Sequence, residues 1–164
     1  NPSDELVKQH RIVSKLFNAV QPNMAFFGQK DAQQAAVIRQ MTTDLSYPLE
    51  IVVCPIVREP DGLAMSSRNV YLDENQRPAA TVLFKAHTAA SKVYDEGETS
   101  GDKLRGIMTE IIEAEPLAKL QYVSCAHPLT LAELDEVGKE GALLSMAVYF
   151  GGTRLIDNAI LEPK

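Results

Sequence analysis

The stretch MAFFGQKDAQQAAVIRQMTTDLSYPLEIVVCPIV, Met24 to Val57, carries the pattern of two strands joined by a helix. It opens on MAFF, Met24 to Phe27, a short apolar run that stops at Gly28 and reads as a buried strand entering a tight turn. Lys30 to Leu45 then reads as a helix, with Ala32, Ala35, Ala36, Ile38 and Met41 supplying small and apolar contacts. LEIVVCPIV, Leu49 to Val57, is a second buried strand. Upstream, Ser3 followed by Asp4 and Glu5 makes a helix start, and Leu6, Val13, Leu16, Phe17 and Val20 recur at helical spacing until Pro22. The first helix is predicted over residues 4–20. Helix, strand, helix, strand, with strands that are apolar throughout rather than in alternation, is the pattern of a parallel sheet covered on both faces. Such sheets bind ligands beyond the carboxyl ends of their strands.

Past Val57 the pattern changes. REPDGLAMSSRN, Arg58 to Asn69, is polar and turn-rich, with a turn at Pro60-Asp61-Gly62, and reads as a long loop. Arg58, Glu59 and Asp61 read as surface charges of that loop. Asp73 with Gln76 resembles a capping box, and a helix to about residue 93 follows, with Val82, Leu83, Ala86, Ala89 and Ala90 on its apolar face and Pro78 kinking its first turns. DEGETSGD is a solvated connector into a helix over residues 102–114, whose Lys and Glu residues form an exposed face. Strands are predicted at 120–125, 142–150 and 153–158, with Gly151-Gly152 as a hairpin turn between the last two. The second half is therefore a small α+β unit with an antiparallel sheet. The chain has no internal repeat and no low-complexity tract.

Composition narrows the function classes. At 164 residues, 45% hydrophobic and 23% charged, the chain has room for one domain or two small ones with a real core. A net charge of -6 and a pI near 5.1 argue against a nucleic-acid partner, which needs clustered Lys and Arg. Cys54 and Cys125 belong to no CxxC pattern, so neither a zinc site nor a disulfide framework is indicated, and a cytoplasmic setting follows. No apolar run approaches about 18 residues, and Asn1 to Arg11 is polar, so neither a membrane span nor a signal segment is expected. The chain begins without Met, which raises the expectation of a fragment or a processed piece. His10, His87 and His127 are far apart, two of them fall on helix or loop surfaces, and there is no HxxH pairing; neither a metal site nor a catalytic triad is expected.

Two stretches carry chemistry. In FFGQKDAQQ, Gly28 lets backbone approach a ligand closely, and Lys30 stands where a helix begins and could place a point charge on a phosphate. Asp31 could accept from sugar hydroxyls, and Gln34, one turn on from Lys30, presents an amide that both donates and accepts. In GLAMSSRN, Ser66 and Ser67 offer hydroxyl and backbone donors, and Arg68 a planar fork suited to phosphate oxygens. By spacing alone, Lys30, Asp31 and Gln34 read first as the solvated opening turn of a helix. Ser66 to Arg68 read equally as an anion site or a polar surface loop. Met65 reads as a packing residue.

Taken together, NAVQPNMAFFGQKDAQQAAVIRQM, PIVREPDGLAMSSRNVYL and the terminal GGTRLIDNAI resemble the pantothenate synthetase, or pantoate-beta-alanine ligase, family, in order from about Lys15 to Ile160. The resemblance implies an α/β fold: residues 1–57 as the C-terminal part of a Rossmann-like parallel-sheet nucleotide domain, and residues 58–164 as a small α+β domain carrying the phosphate loop. It implies a two-step reaction in which ATP and pantoate give pantoyl adenylate and pyrophosphate, and beta-alanine then gives pantothenate and AMP. Gly28, Gln29, Lys30 and Asp31 would bind ATP, Lys30 on the phosphates and Asp31 near the ribose. Gln34 would hold pantoate, and Val57 would contact adenine through its backbone. Met65, Ser66, Ser67 and Arg68 would form this family's version of the Lys-Met-Ser-Lys-Ser loop of class I aminoacyl-tRNA synthetases. Lys30, Ser66, Ser67 and Arg68 would be the catalytic set, Mg2+ would accompany the ATP, and homodimers are frequent in the family.

The chain also departs from the family pattern. It has no HxGH signature, whose imidazoles help stabilise the phosphates, and DELVKQHRIVS stands where the family has a basic His-Phe segment leading into a Gly-Val helix. His10 and Arg11 are easily mistaken for that phosphate contact. The 164 residues alone are accordingly expected to have little or no ligase activity. The alternatives are a nucleotidyltransferase of the same superfamily and a non-catalytic nucleotide-binding or assembly module.

Overall fold

A computed structural model describes the backbone of residues 2–164 and the side chains from residue 10 onward, so the expected helix start at Ser3, Asp4, Glu5 and Leu6 lies outside the described side chains. The chain divides into two compact units, residues 1–55 and 56–164. Among the described residues, no helix is long and apolar enough to cross a membrane.

The first unit is built from α1 (Pro2–Val20), β1 (Met24–Gly28), a 3-10 turn (Gln29–Asp31), α2 (Ala32–Asp44) and β2 (Glu50–Cys54). Helix α1 ends where Gln21 takes a positive φ of 49° and donates its N–H to the Phe17 carbonyl at 2.9 Å, and Pro22 then bars any further turn. Strands β1 and β2 pair in parallel, Met24 opposite Glu50 through Gly28 opposite Cys54, with α2 as the crossover. This is the predicted βαβ arrangement with two corrections. Strand β2 ends at Cys54 rather than Val57, since Pro55 has no N–H to give a ladder. Strand β1 is not buried on both faces. Its side chains alternate, Ala25 and Phe27 half-buried and Phe26 64% exposed, because a strand sends successive side chains to opposite faces. Phe27 meets the edge of Phe17 from α1 at 6.4 Å, and Phe17 in turn meets Tyr47 at 5.6 Å.

The second unit starts with a hairpin-like loop. It continues through a 3-10 turn (Ser67–Tyr71), α3 (Gln76–Ala79), α4 (Val82–Asp95), α5 (Gly101–Glu113), β3 (Ala118–Ala126), β4 (Ala142–Phe150) and β5 (Thr153–Leu161). The capping box forms as expected: Gln76 N–H donates to Asp73 Oδ1 at 2.8 Å, and Asp73 N–H to Gln76 Oε1 at 3.2 Å. The helix it opens is interrupted at Ala80 and Thr81, just past Pro78, so the single predicted helix is α3 and α4. Helix α5 starts at Ser100, whose hydroxyl accepts the Lys103 N–H. The sheet is antiparallel in the order β3-β4-β5, and Phe150 pairs with Thr153 across a two-residue turn in which Gly151 has φ 58°. Strand β4, the central one, is buried on nearly its whole length. Its Ala142, Leu144, Met146, Val148 and Phe150 join Leu83, Ala86, Leu104, Met108 and Ile112 from the two long helices in one core.

Candidate functional site

In the first unit the candidate residues gather at the carboxyl end of the parallel pair. Gly28 is the last residue of β1 and sits opposite Cys54, the last of β2. Gln29, Lys30 and Asp31 form the 3-10 turn, and Gln34 lies in the first turn of α2. Gly28 and Asp31 are exposed, and no Asp31 side-chain bond caps the helix. Gln29, Lys30 and Gln34 are half-buried and already engage neighbouring groups. A strand that ends in glycine and feeds a helix N-terminus offers backbone N–H groups and a favourable dipole to an anion.

The second stretch is far more ordered than a long polar loop. Glu59 N–H donates to Leu63 O at 2.8 Å and Gly62 N–H to Glu59 O at 2.9 Å, with Arg58 and Ala64 facing each other in an antiparallel bridge. Gly62 takes φ 91°, and a Cβ there would overlap the Phe84 ring, so both the turn and the close approach demand glycine. The hairpin closes where Met65 N–H donates to Val57 O at 2.9 Å. That bond ties Val57 to the first residue of the Met65 to Arg68 loop. Met65 is 51% exposed, so it is not the packing residue the sequence suggested; the hairpin turns it out of the core. Ser66 caps the following 3-10 turn, its hydroxyl accepting the Arg68 N–H at 3.2 Å, and Asn69 Nδ2 donates back to Ala64 O at 3.2 Å. Ser67 and Arg68 are exposed. Gly28 to Gln34 thus belong to the first unit, and Val57 and Met65 to Arg68 to the second.

Behind the hairpin lies a charge cluster that the sequence reading missed. Arg58, read there as a loop-surface charge, turns inward. Its Nη1 donates to Asp157 Oδ2 at 2.7 Å and to Gly62 O at 3.0 Å, and its Nη2 to Asp157 Oδ1 at 3.0 Å. Asp157 is 1% exposed, and a lone carboxylate buried to that degree would be costly, so a cation follows it into the interior. The guanidinium also lies 5.0 Å from the centre of the Phe84 ring. His87 is buried on α4 with Nε2 3.3 Å from Asp157 Oδ2. Burial alone would raise the Asp157 pKa. The His87 imidazole and Arg58 guanidinium outweigh it and hold the carboxyl below its ordinary value. One sequence signal was available: in TRLIDNAI, Asp157 falls two residues after Leu155, on the inward face of β5, where a charge needs a partner.

Other titratable groups serve the scaffold. Arg105 binds Asp102, Glu133 and the Leu134 carbonyl, while Glu133 also holds Ser124, so this cluster clips the 126–134 loop to α5. His127 pairs with Glu140 at the surface. Burial lowers the His10 pKa, and its Nε2 is enclosed without a hydrogen-bond partner, which makes it a poor cationic phosphate contact. Burial pushes the Cys125 thiol up and keeps it unreactive. Among the described residues no three His, Cys, Asp or Glu side chains converge as metal ligands.

Comparison with known proteins matches the arrangement to one family. The model of the pantoate-beta-alanine ligase family matches residues 7–160. The pantothenate synthetase of Chloroflexus aggregans is 61% identical over 150 residues, which are 92% of this chain and 54% of that protein. The pantothenate synthetase of Roseiflexus castenholzii is 60% identical over 151 residues, with the same shares. The crystal structure of pantothenate synthetase from Thermus thermophilus superposes with a TM-score of 0.87 at 41% identity, covering 94% of this chain and 55% of that one. The pantoate-beta-alanine ligase of Francisella tularensis, solved with beta-gamma ATP and beta-alanine, gives a TM-score of 0.62 at 27% identity, over 94% of this chain and 50% of that one. The chain spans about half the length of the curated relatives it matches.

Proposed function

The chain belongs to the pantoate-beta-alanine ligase family, and on that premise we propose that it supplies the second half of an enzyme that joins pantoate to beta-alanine using ATP. A carboxylate is a poor electrophile until one of its oxygens becomes part of a good leaving group. The pantoate carboxylate attacks the α-phosphorus of ATP, the α–β bridging bond breaks, and pyrophosphate leaves. The amine of beta-alanine then attacks the carbonyl of the pantoyl adenylate, expelling AMP and a proton to leave the amide. Little covalent work falls to the protein; its task is to hold the reactants and to stabilise phosphate charge.

Gly28 to Asp31 bind the nucleotide, Lys30 meeting its phosphates and Asp31 its ribose. Gln34 holds pantoate, and the Val57 backbone meets adenine. Met65, Ser66, Ser67 and Arg68 bear on the phosphates, with Lys30, Ser66, Ser67 and Arg68 as the catalytic set. The observation that carries the reading is the loop: Ser67 and Arg68 stand exposed on a turn whose base is fixed to Val57 by the Met65 N–H. The described residues of this chain do not form a cage for Mg2+. Mg2+ would therefore accompany the ATP rather than sit in a site of this chain, and would supply counter-charge to the phosphates.

Product analysis tests the reading. A ligase containing these residues should release pyrophosphate from ATP and pantoate, and should yield AMP and pantothenate only once beta-alanine is added. A dinucleotide product would mark a nucleotidyltransferase instead. The 164 residues alone, lacking an HxGH segment, should form little or no pantothenate, and appreciable turnover by them would overturn that expectation.

A further inference from the structure

Arg58 and Asp157 stand 99 positions apart, yet they form an ion pair whose side chains are only 21% and 1% exposed. An apolar pair of similar volume would serve stability as well, because desolvating two charges largely offsets their attraction. A bidentate fork supplies something apolar packing does not, a fixed direction. Here the fork is shared. Nη1 bonds both the carboxylate and the Gly62 carbonyl at the hairpin turn, and Nη2 lies 3.4 Å from the Asn158 carbonyl of β5. From the hairpin the connection continues without slack: Val57 O to Met65 N–H, Ala64 O to Asn69 Nδ2, Ser66 Oγ to Arg68 N–H. A second charged tie on the hairpin, Asp61 to Arg77 at 2.7 Å, is at the surface.

We infer that Asp157, acting through Arg58, is a positioning residue for the Met65 to Arg68 loop: the fork sets the hairpin on the sheet and thereby fixes where Ser66, Ser67 and Arg68 stand. The inference rests on reading that loop as the element that meets the phosphates of ATP. Asp157 itself touches no substrate.

Arg58→Lys keeps the cation but loses the fork, so it rescues a role in charge balance and fails to rescue a role in orientation. Asp157→Asn is the second variant and Arg77→Ala the surface control, all in the complete 164-residue chain. Backbone NMR relaxation is read without ligand. In Arg58→Lys and Asp157→Asn the order parameters of the Met65 to Asn69 amides should fall below about 0.6, while those of α5 and β4 stay near about 0.85. Titration with ATP should show affinity reduced at least tenfold in both, with Arg77→Ala within about twofold of the parent chain. A loop as rigid in Arg58→Lys as in the parent overturns the inference, and so does failure of both variants to fold, which would make the pair a stability element only. A loop that loosens while ATP affinity is unchanged upholds the positioning and overturns instead the reading of the loop as phosphate-facing.

Discussion

The two units use their apolar residues in opposite ways. In the C-terminal unit Leu104, Met108, Ile112, Leu144, Met146, Val148 and Phe150 have no exposed surface, and a carboxylate, Asp157, lies beside them with its cation. In the N-terminal unit Phe26 and the α1 stripe Ile12, Leu16 and Val20 are all more than half exposed, and the two strands leave an apolar face open. Residues of the same kind thus carry different weights, because what stabilises is area removed from water together with close packing.

The largest effects should expose that contrast. Phe150→Ala should cost about 3–5 kcal/mol in urea denaturation followed by far-UV circular dichroism, since it leaves a cavity beneath β4. Phe26→Ala removes an equal side chain from the open face and should stay within about 0.5 kcal/mol of the parent. Comparable losses would mean that the open face is covered in solution.

A second pair of substitutions asks the same of charge at the two ion pairs of one hairpin. Asp157→Ala strands the Arg58 guanidinium in a largely buried setting and should cost about 3 kcal/mol. Asp61→Ala breaks a pair in which both side chains are about a third or more exposed, and should cost less than about 1 kcal/mol. The sign of the pH dependence follows from the depressed Asp157 pKa. In the window between its folded pKa and the ordinary carboxylate value of about 3.9, the unfolded chain binds the extra proton, so stability rises with pH there. That contribution is complete above the unfolded pKa and disappears as pH falls through the folded one. Acid titration of the melting temperature should therefore be shallower in Asp157→Asn than in the parent.

What was legible in the sequence follows the range of the forces involved. Strand β4 coincides with its predicted bounds, 142–150, and the Asp73–Gln76 capping box forms, because periodicity and capping act over a few residues. Arg58 was misread because its partner is on the last strand, and no local pattern couples residues so far apart. The nearness of His87 to the same carboxylate was out of reach for the same reason, since that group comes from β5. In MAFF, an unbroken apolar run suggested burial on both faces, yet Phe26 is exposed. Sequence reports which side chains are able to be buried. Whether a face is covered depends on what packs there.

The smallest expected change in stability carries the most about function. Arg68 and Ser67 are exposed and contribute nothing to the core, so Arg68→Ala should alter the unfolding free energy by no more than about 0.5 kcal/mol. Ser66→Ala should cost slightly more, on the order of 0.5–1 kcal/mol, because the hydroxyl that accepts the Arg68 N–H is lost and the 3-10 turn loses its cap. Charge-assisted hydrogen bonds to phosphate contribute about 1.5–3 kcal/mol each, which corresponds to roughly tenfold or more in ATP affinity. The proposed loop function therefore requires these two variants to be nearly silent in denaturation and pronounced in ATP titration. Phe150→Ala should show the reverse wherever its fold survives, since its ring is wholly buried in the core and none of it reaches the loop's exposed side. Substitutions at Arg68 and Ser66 that leave ATP affinity intact would return the loop to a polar surface turn and confine the proposed nucleotide contacts to Gly28 to Asp31.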